Sequence, residues 1–187
     1  MCDAVNVPEA CPGAPQWEPE KWRGVMEFIN NCYAYAVDDC RDRGHGRFPH
    51  PAGKNGLSFE DCCRLNVRQL VHCVEMDGLR RAFIPVPKPG HYLVALAVEG
   101  GHEDGEEISY HWWRQDRDGF WSHKPGQCEP CRTDKDGKMI CDPRLCNRGG
   151  YKLFVGYFHV PEGGLEVDTV NFQGSRHSIP LPQPKFR

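Results

Sequence analysis

Apolar positions change their period near residue 80. Before it they recur at helical spacing, and after it they form strand-like runs. Trp22, Val25, Met26 and Ile29 follow at three and four, and Glu18-Pro19-Glu20 places Pro and acids where a helix begins. Asn30-Asn31 interrupts that stripe. Both are natural N-caps, so 32–37 reads as a second helix start. The longest helix is expected over 58–77. Phe59, Cys62, Cys63, Val67, Leu70, Val71 and Val74 line one face, Ser58–Asp61 resembles a capping box, and Gly78 follows the end. Strands are expected at 81–85, 91–98, 108–114, 120–123 and 151–160. The run 91–98 is apolar on both faces and therefore reads as buried, and Asp116-Arg117-Asp118-Gly119 is a hairpin turn. The implied fold is α+β, with N-terminal helices packed on an antiparallel β-meander.

Loops fill the rest. Residues 43–57 are rich in Gly, Pro and His, and 124–150 form a polar stretch with a Cys-rich loop at 126–149. An irregular lead-in is expected over 1–16, a single domain over 17–166 and a Pro-rich tail over 167–187. The chain has 187 residues, 39% of them hydrophobic, which suits one core. A net charge of −3 argues against a nucleic-acid binder relying on bulk charge. No apolar run is long enough to span a membrane, and no secretory signal is visible. A cytosolic product is therefore expected, with a non-classical route open to export.

Cysteine is the outlier, at 11 residues. Cys32 follows two capping residues, where helix N–H groups stabilise a thiolate and could also hold an oxyanion. Asn31 is a candidate additional donor. A nucleophilic cysteine needs a base, and the base needs an orienting partner. If the hairpin centres on Gly101, His91 and His111 face each other and supply both; His123 is the competing partner. Tyr33, Tyr35, Trp112, Trp113 and Trp121 surround the same site in sequence, as walls of a substrate groove or as core. Cys128, Cys131, Cys141 and Cys146 suit a structural zinc, with two disulfides or reduced thiols as alternatives. Cys62, Cys63 and Cys73 read as core thiols. Cys2 and Cys11 could pair in an oxidising space, and His45, His50 and His102 lack ligand spacing.

The order of helix-start Cys32, Gly90-His91 at a strand start and His111 on the next strand resembles the papain-like cell-wall hydrolases, the NlpC-type endopeptidases and CHAP amidases. That resemblance implies Cys32 as nucleophile, His91 as base and His111 as third polar residue. Peptide or glycan-peptide substrates follow from it, with no cofactor needed for catalysis. A second resemblance rests on Asn31-Cys32-Tyr33-Ala34-Tyr35-Ala36, on 110–116 (YHWWRQD), on 121–126 (WSHKPG), and on Asp142-Pro143-Arg144, Arg148-Gly149 and 154–158. These are similar to the insoluble matrix shell protein family over about residues 30–160. In that pattern His111 and His123 are both motif residues, which implies a Cys32–His111–His123 arrangement as the rival. The two readings are a cysteine peptidase or amidase working through an acyl-enzyme, and a non-catalytic binding or matrix module.

Overall fold

A computed structural model describes residues 9–44, 48–100 and 106–167. The first helical stripe forms in two pieces. Pro19–Trp22 is a 3-10 turn and α1 is Val25–Ile29. Gly24 separates them at φ 63°, a left-handed conformation that glycine takes without strain. α2 is Cys32–Ala36.

The expected helix over 58–77 is also two helices, α3 (Phe59–Cys62) and α4 (Val67–Met76). Ser58 caps α3 by accepting from the Asp61 amide at 3.0 Å. Asn66 and Gln69 cap α4 reciprocally, each side chain accepting from the other's backbone N–H at 3.0 Å. The apolar face runs on through the break, so periodicity hides it, while Asn66 with Gln three residues on marks a new start.

Five strands follow: β1 (Arg80–Ala82), β2 (His91–Gly100), β3 (Ile108–Gln115), β4 (Trp121–Ser122) and β5 (Leu153–Pro161). They form one sheet of order β1-β5-β2-β3-β4, antiparallel at every pairing. The fold is therefore α+β with an antiparallel sheet. It is not a meander in sequence order, because β5 inserts between β1 and β2. The loop 124–150 makes this possible: Ile140 and Cys146 lie on one face of the sheet, and the chain re-enters beside β2.

β2 is buried on both faces, which explains its unbroken apolar run. Tyr92, Val94, Leu96 and Val98 join Tyr33, Val37, Leu70, Val74 and Trp112 in the larger core on the helix side. Leu93, Ala95 and Ala97 join Trp113, Trp121 and Ile140 under the loop. β1 stops earlier than the expected 81–85, and Pro85 and Pro87 beyond it have no N–H to extend a ladder.

The domain also extends past its expected limits. Cys11 and Ala14 are buried, and the Cys11 amide donates to the Arg117 carbonyl at 2.9 Å while the Arg117 amide donates to Pro15 at 2.9 Å. Val167 is buried, and its amide donates to Asp39 at 2.7 Å. The remainder of the expected lead-in and tail, 1–8 and 168–187, lies outside the described residues. No helix among the described residues is long and apolar enough to cross a membrane.

A buried polar lattice fixes α2 against β3 and β4. Asp116 is fully buried and accepts from Arg114 Nη2 at 3.1 Å, Arg132 Nη2 at 3.0 Å and Ser122 Oγ at 3.0 Å. Arg114 reaches on to Asp38 at 2.9 Å, and the Tyr35 and Ser122 hydroxyls lie 2.7 Å apart. Arg114 and Asp116 of 110–116 and Ser122 of 121–126 thus serve to join helix to sheet.

Candidate active site

Cys32 is the first residue of α2, as its two preceding asparagines suggest. Asn31 Oδ1 accepts from the amides of Tyr33 and Ala34, both at 3.1 Å, and its Nδ2 donates to the Pro49 carbonyl at 2.7 Å. The side chain is thus committed as a cap and a loop tether. One Nδ2 hydrogen of the expected oxyanion donor is therefore given to the Pro49 carbonyl.

The Cys32 sulfur sits at an open sheet edge. The Asp116 amide donates to Phe120 at 2.8 Å, so Asp116, Arg114 and Trp112 all turn their N–H groups toward the β4 side. β4 pairs only with Arg114 and Gln115. Among the described residues no strand covers the edge at Trp112, and its backbone supports the Cys32 thiolate instead. Burial pushes the thiol up to about 11, opposed by the Trp112 backbone and the Lys124 ammonium. Cys32 is 7% exposed and lines a cleft of about 570 Å³ with Phe59, Glu99, Glu107, Ile108 and Tyr110.

Trp112 contributes its backbone, not its ring. The ring is fully buried, 5.4 Å from that of Tyr33 and 5.7 Å from that of Phe158 between centroids. The expectation that it walls a substrate groove is corrected on that ground.

His91 does not face His111. β2 and β3 pair Ala97 with His111, and His91 pairs with Pro161 of β5. The six residue steps from His91 to Ala97 span roughly 20 Å of strand. The expected register placed the hairpin centre at Gly101, whereas β2 runs to Gly100 and β3 begins at Ile108. His91 Nδ1 lies 3.0 Å from the Pro89 carbonyl, and its ring packs near His159.

His111 pairs with His123 instead. His111 Nε2 and His123 Nδ1 are 2.8 Å apart, and His123 Nε2 lies 3.1 Å from the Thr133 carbonyl. A carbonyl only accepts, so His123 carries its hydrogen on Nε2 and presents a lone pair at Nδ1. His111 then donates from Nε2 and keeps its own lone pair on Nδ1. Burial holds both rings below the ordinary histidine range and favours this neutral pair. His111 stacks on Tyr151 at 5.2 Å and lines a cavity of about 180 Å³ with Tyr151, Lys135 and Asn147.

Cys32 and His111 lie toward opposite faces of β3. His111 points to the loop side of the sheet and Cys32 belongs to the helix-side core, yet the sulfur lies against the backbone of the next residue, Trp112. Tyr151 stacks on His111 on the loop side. No imidazole hydrogen-bonds the sulfur among the described residues.

The four loop cysteines do not converge as a zinc set. Cys141 is disulfide-bonded, Cys128, Cys131 and Cys146 are free, and no three metal-binding side chains cluster among the described residues. Cys131 has a different neighbour: its sulfur lies 3.2 Å from His123 Nε2. That contact was hidden in the sequence, because it depends on the bridge pairing His123 with Cys131. Cys62 and Cys73 are core thiols as expected, and Cys11 is free. His50 is buried between the Phe48 and Leu57 carbonyls, at 3.2 and 2.8 Å. Cys2, His45 and His102 lie outside the described residues.

The chain is 33% identical over 147 residues to insoluble matrix shell protein 1 of Ruditapes philippinarum. The match covers 78% of this chain and 89% of that protein. No family model and no solved structure matches.

Proposed function

The chain belongs to the insoluble matrix shell protein family, and within that family we propose that it carries a thiol-dependent acyl-transfer centre of papain-like type. Cys32 is the nucleophile, His111 the base and His123 the residue that orients it. The observation that carries this reading is the fixed histidine pair. The Thr133 carbonyl supports the Nε2–H tautomer of His123, and His123 in turn leaves His111 with a lone pair on Nδ1; Cys32 lies beside Trp112, the next residue along β3.

In the reaction the Cys32 sulfur attacks an amide carbonyl and its proton passes to His111 Nδ1. The tetrahedral intermediate expels the amine, which takes that proton, and a thioester remains. Water, losing a proton to His111, then hydrolyses the thioester and restores the thiol. Peptide amides are the proposed substrate class, and the cleft at Cys32 has room for a short segment.

The test uses an activated acyl ester, p-nitrophenyl acetate, as a general donor. Peptide mapping should find one acetyl group on Cys32, and Cys32→Ala and His111→Ala should each abolish it. Acylation undiminished in His111→Ala, or absent from Cys32 in the wild type, rejects the centre. In that case the second reading holds, a non-catalytic matrix module. It is favoured by the printed name of the relative.

A further inference from the structure

We propose that the β1–β2 connection is an interfacial anchor for an anionic lipid bilayer. Phe83, Ile84 and Val86 enter the acyl boundary, and Arg80, Arg81 and Lys88 meet the headgroups. The inference goes beyond the acyl-transfer reading and does not rest on it.

The exposed apolar side chains are the starting point. Phe83 is 93% exposed, Ile84 65% and Val86 54%. Nine large apolar side chains are exposed among the described residues, and three of them fall within the four positions 83–86. Single exposed apolar residues are ordinary, whereas a contiguous set marks a contact surface. A phenyl ring with so little cover projects from the fold and lines no groove.

The loop is held in shape. The Val86 amide donates to the Ile84 carbonyl at 2.8 Å, and the His91 amide to the Lys88 carbonyl at 3.0 Å. The Val86 carbonyl accepts from His159 Nε2 of β5 at 3.1 Å. Burial, helped by Lys88 and His91, holds His159 below the ordinary histidine range, so a neutral ring keeps this tether. Pro85 and Pro87 fix their own φ, which lowers the ordering cost of docking. Lacking N–H groups, they also stop the segment from extending the β1 ladder to recruit a strand of a second copy.

Charge selects the partner. From Leu79 to Val98 the chain holds Arg80, Arg81 and Lys88 but no Asp or Glu, in a protein of net charge −3. All three cations are exposed. Arg80 Nη1 donates to the Glu75 carbonyl at 3.0 Å and Arg81 Nη2 to the Val155 carbonyl at 3.1 Å. None of the three forms an ion pair with a carboxylate among the described residues. Glu9 and Glu162 share a cleft with Lys88 at the base of the loop, without such a pair. A projecting apolar tip with unpaired cations behind it matches the layering of a bilayer surface, hydrocarbon within and phosphate outside. A protein partner would have to offer both a pocket for the tip and acids around its rim.

The experiment is cosedimentation of the whole protein with vesicles of phosphatidylcholine alone, and with vesicles in which about one third of the lipid is phosphatidylserine. Wild type should bind the anionic vesicles at least about tenfold more tightly than the neutral ones. Salt at about 1 M, where the Debye length is about 3 Å, should release most of it. The double variant Phe83→Ser, Ile84→Ser should bind at least about tenfold more weakly. So should Arg81→Gln, Lys88→Gln, since each cation near the surface is worth about fivefold. Urea unfolding checks that each variant is folded. Should Arg81→Gln disturb the sheet edge, Lys88→Gln alone decides, with a loss of about fivefold expected. Wild type that ignores anionic vesicles, or a folded serine variant that binds them undiminished, overturns the proposal. Wild type that ignores vesicles but self-associates in the ultracentrifuge, and loses that association in the serine variant, also overturns it and identifies a second copy as the cover of the tip.

Discussion

His111 Nε2 and His123 Nδ1 lie 2.8 Å apart, and the second ring is anchored at its far nitrogen by the Thr133 carbonyl. Two buried imidazoles sharing one hydrogen bond have a clear pH signature. Burial lowers both below the unfolded value of 6.5. The unfolded state then binds protons that the native state refuses. The associated stability is full above about 6.5 and is lost as pH falls below it. Each ring contributes a slope of at most about 1.4 kcal/mol per pH unit. Urea unfolding at pH 7.5 and 5.0 should show the loss, and His123→Gln should show less of it. Equal acid sensitivity in variant and wild type would mean that His123 is charged in the native state.

Asp116 collects two guanidiniums and a hydroxyl with no exposure of its own. Burial raises its pKa, while Arg114 and Arg132 oppose that rise. In Asp116→Asn the acceptor for Arg114 and Arg132 loses its charge, leaving Arg114 buried and under-compensated. The expected cost is about 3–5 kcal/mol, the range for breaking one side of a buried pair. Chemical denaturation reads it directly. Because the lattice holds α2 against β3, Cys32 alkylation should speed up in the same variant as the helix start loosens.

Asn66 makes a smaller, sharper prediction. Its side chain accepts from the Gln69 amide, and Gln69 accepts in return from the Asn66 amide. Asn66→Ala removes the first bond and leaves an orphan donor at the start of α4. The loss should be about 1 kcal/mol by urea unfolding. Asn66→Asp should retain most of the stability, since it can accept the same bond.

These caps show what the sequence could and could not reveal. The start of α2 was legible because Asn31 precedes Cys32, and a cap acts over three residues. β2 was legible as buried because Tyr92–Val98 has no polar face. The break between α3 and α4 was not, since Cys63 and Val67 continue the apolar stripe across it. The role given to His91 failed for a different reason. Register depends on how the chain turns between Gly100 and Ile108, and a loop of Gly, His, Asp and Glu carries no period to count. The order of β5 beside β2 is likewise a long-range choice made by the 124–150 loop. Lys124 looked like an ordinary charged residue of a Lys-Pro-Gly turn; only the fold brings the Glu27, Asn30 and Gly126 carbonyls around it.

Tyr33 and Asp77 join α2 to the end of α4. The Tyr33 hydroxyl donates to Asp77 Oδ2 at 2.6 Å, and the Ala52 amide donates to the same oxygen at 2.9 Å. Asp77 Oδ1 is buried without a partner. Burial therefore raises the carboxyl above its ordinary value, and the Tyr33 bond holds part of that rise in check. Tyr33→Phe removes a hydrogen bond to a charged acceptor, at an expected cost of about 1.5–3 kcal/mol. The sign of its pH dependence follows. With its folded pKa raised further in the variant, Asp77 favours the native state only where it is protonated, so the deficit should be larger at pH 7.5 than at pH 4.5. Urea unfolding of both proteins at the two pH values tests this. A deficit that is constant with pH would show that Asp77 is already neutral in the native protein, and that the Tyr33 hydroxyl contributes a neutral hydrogen bond and not a charged one.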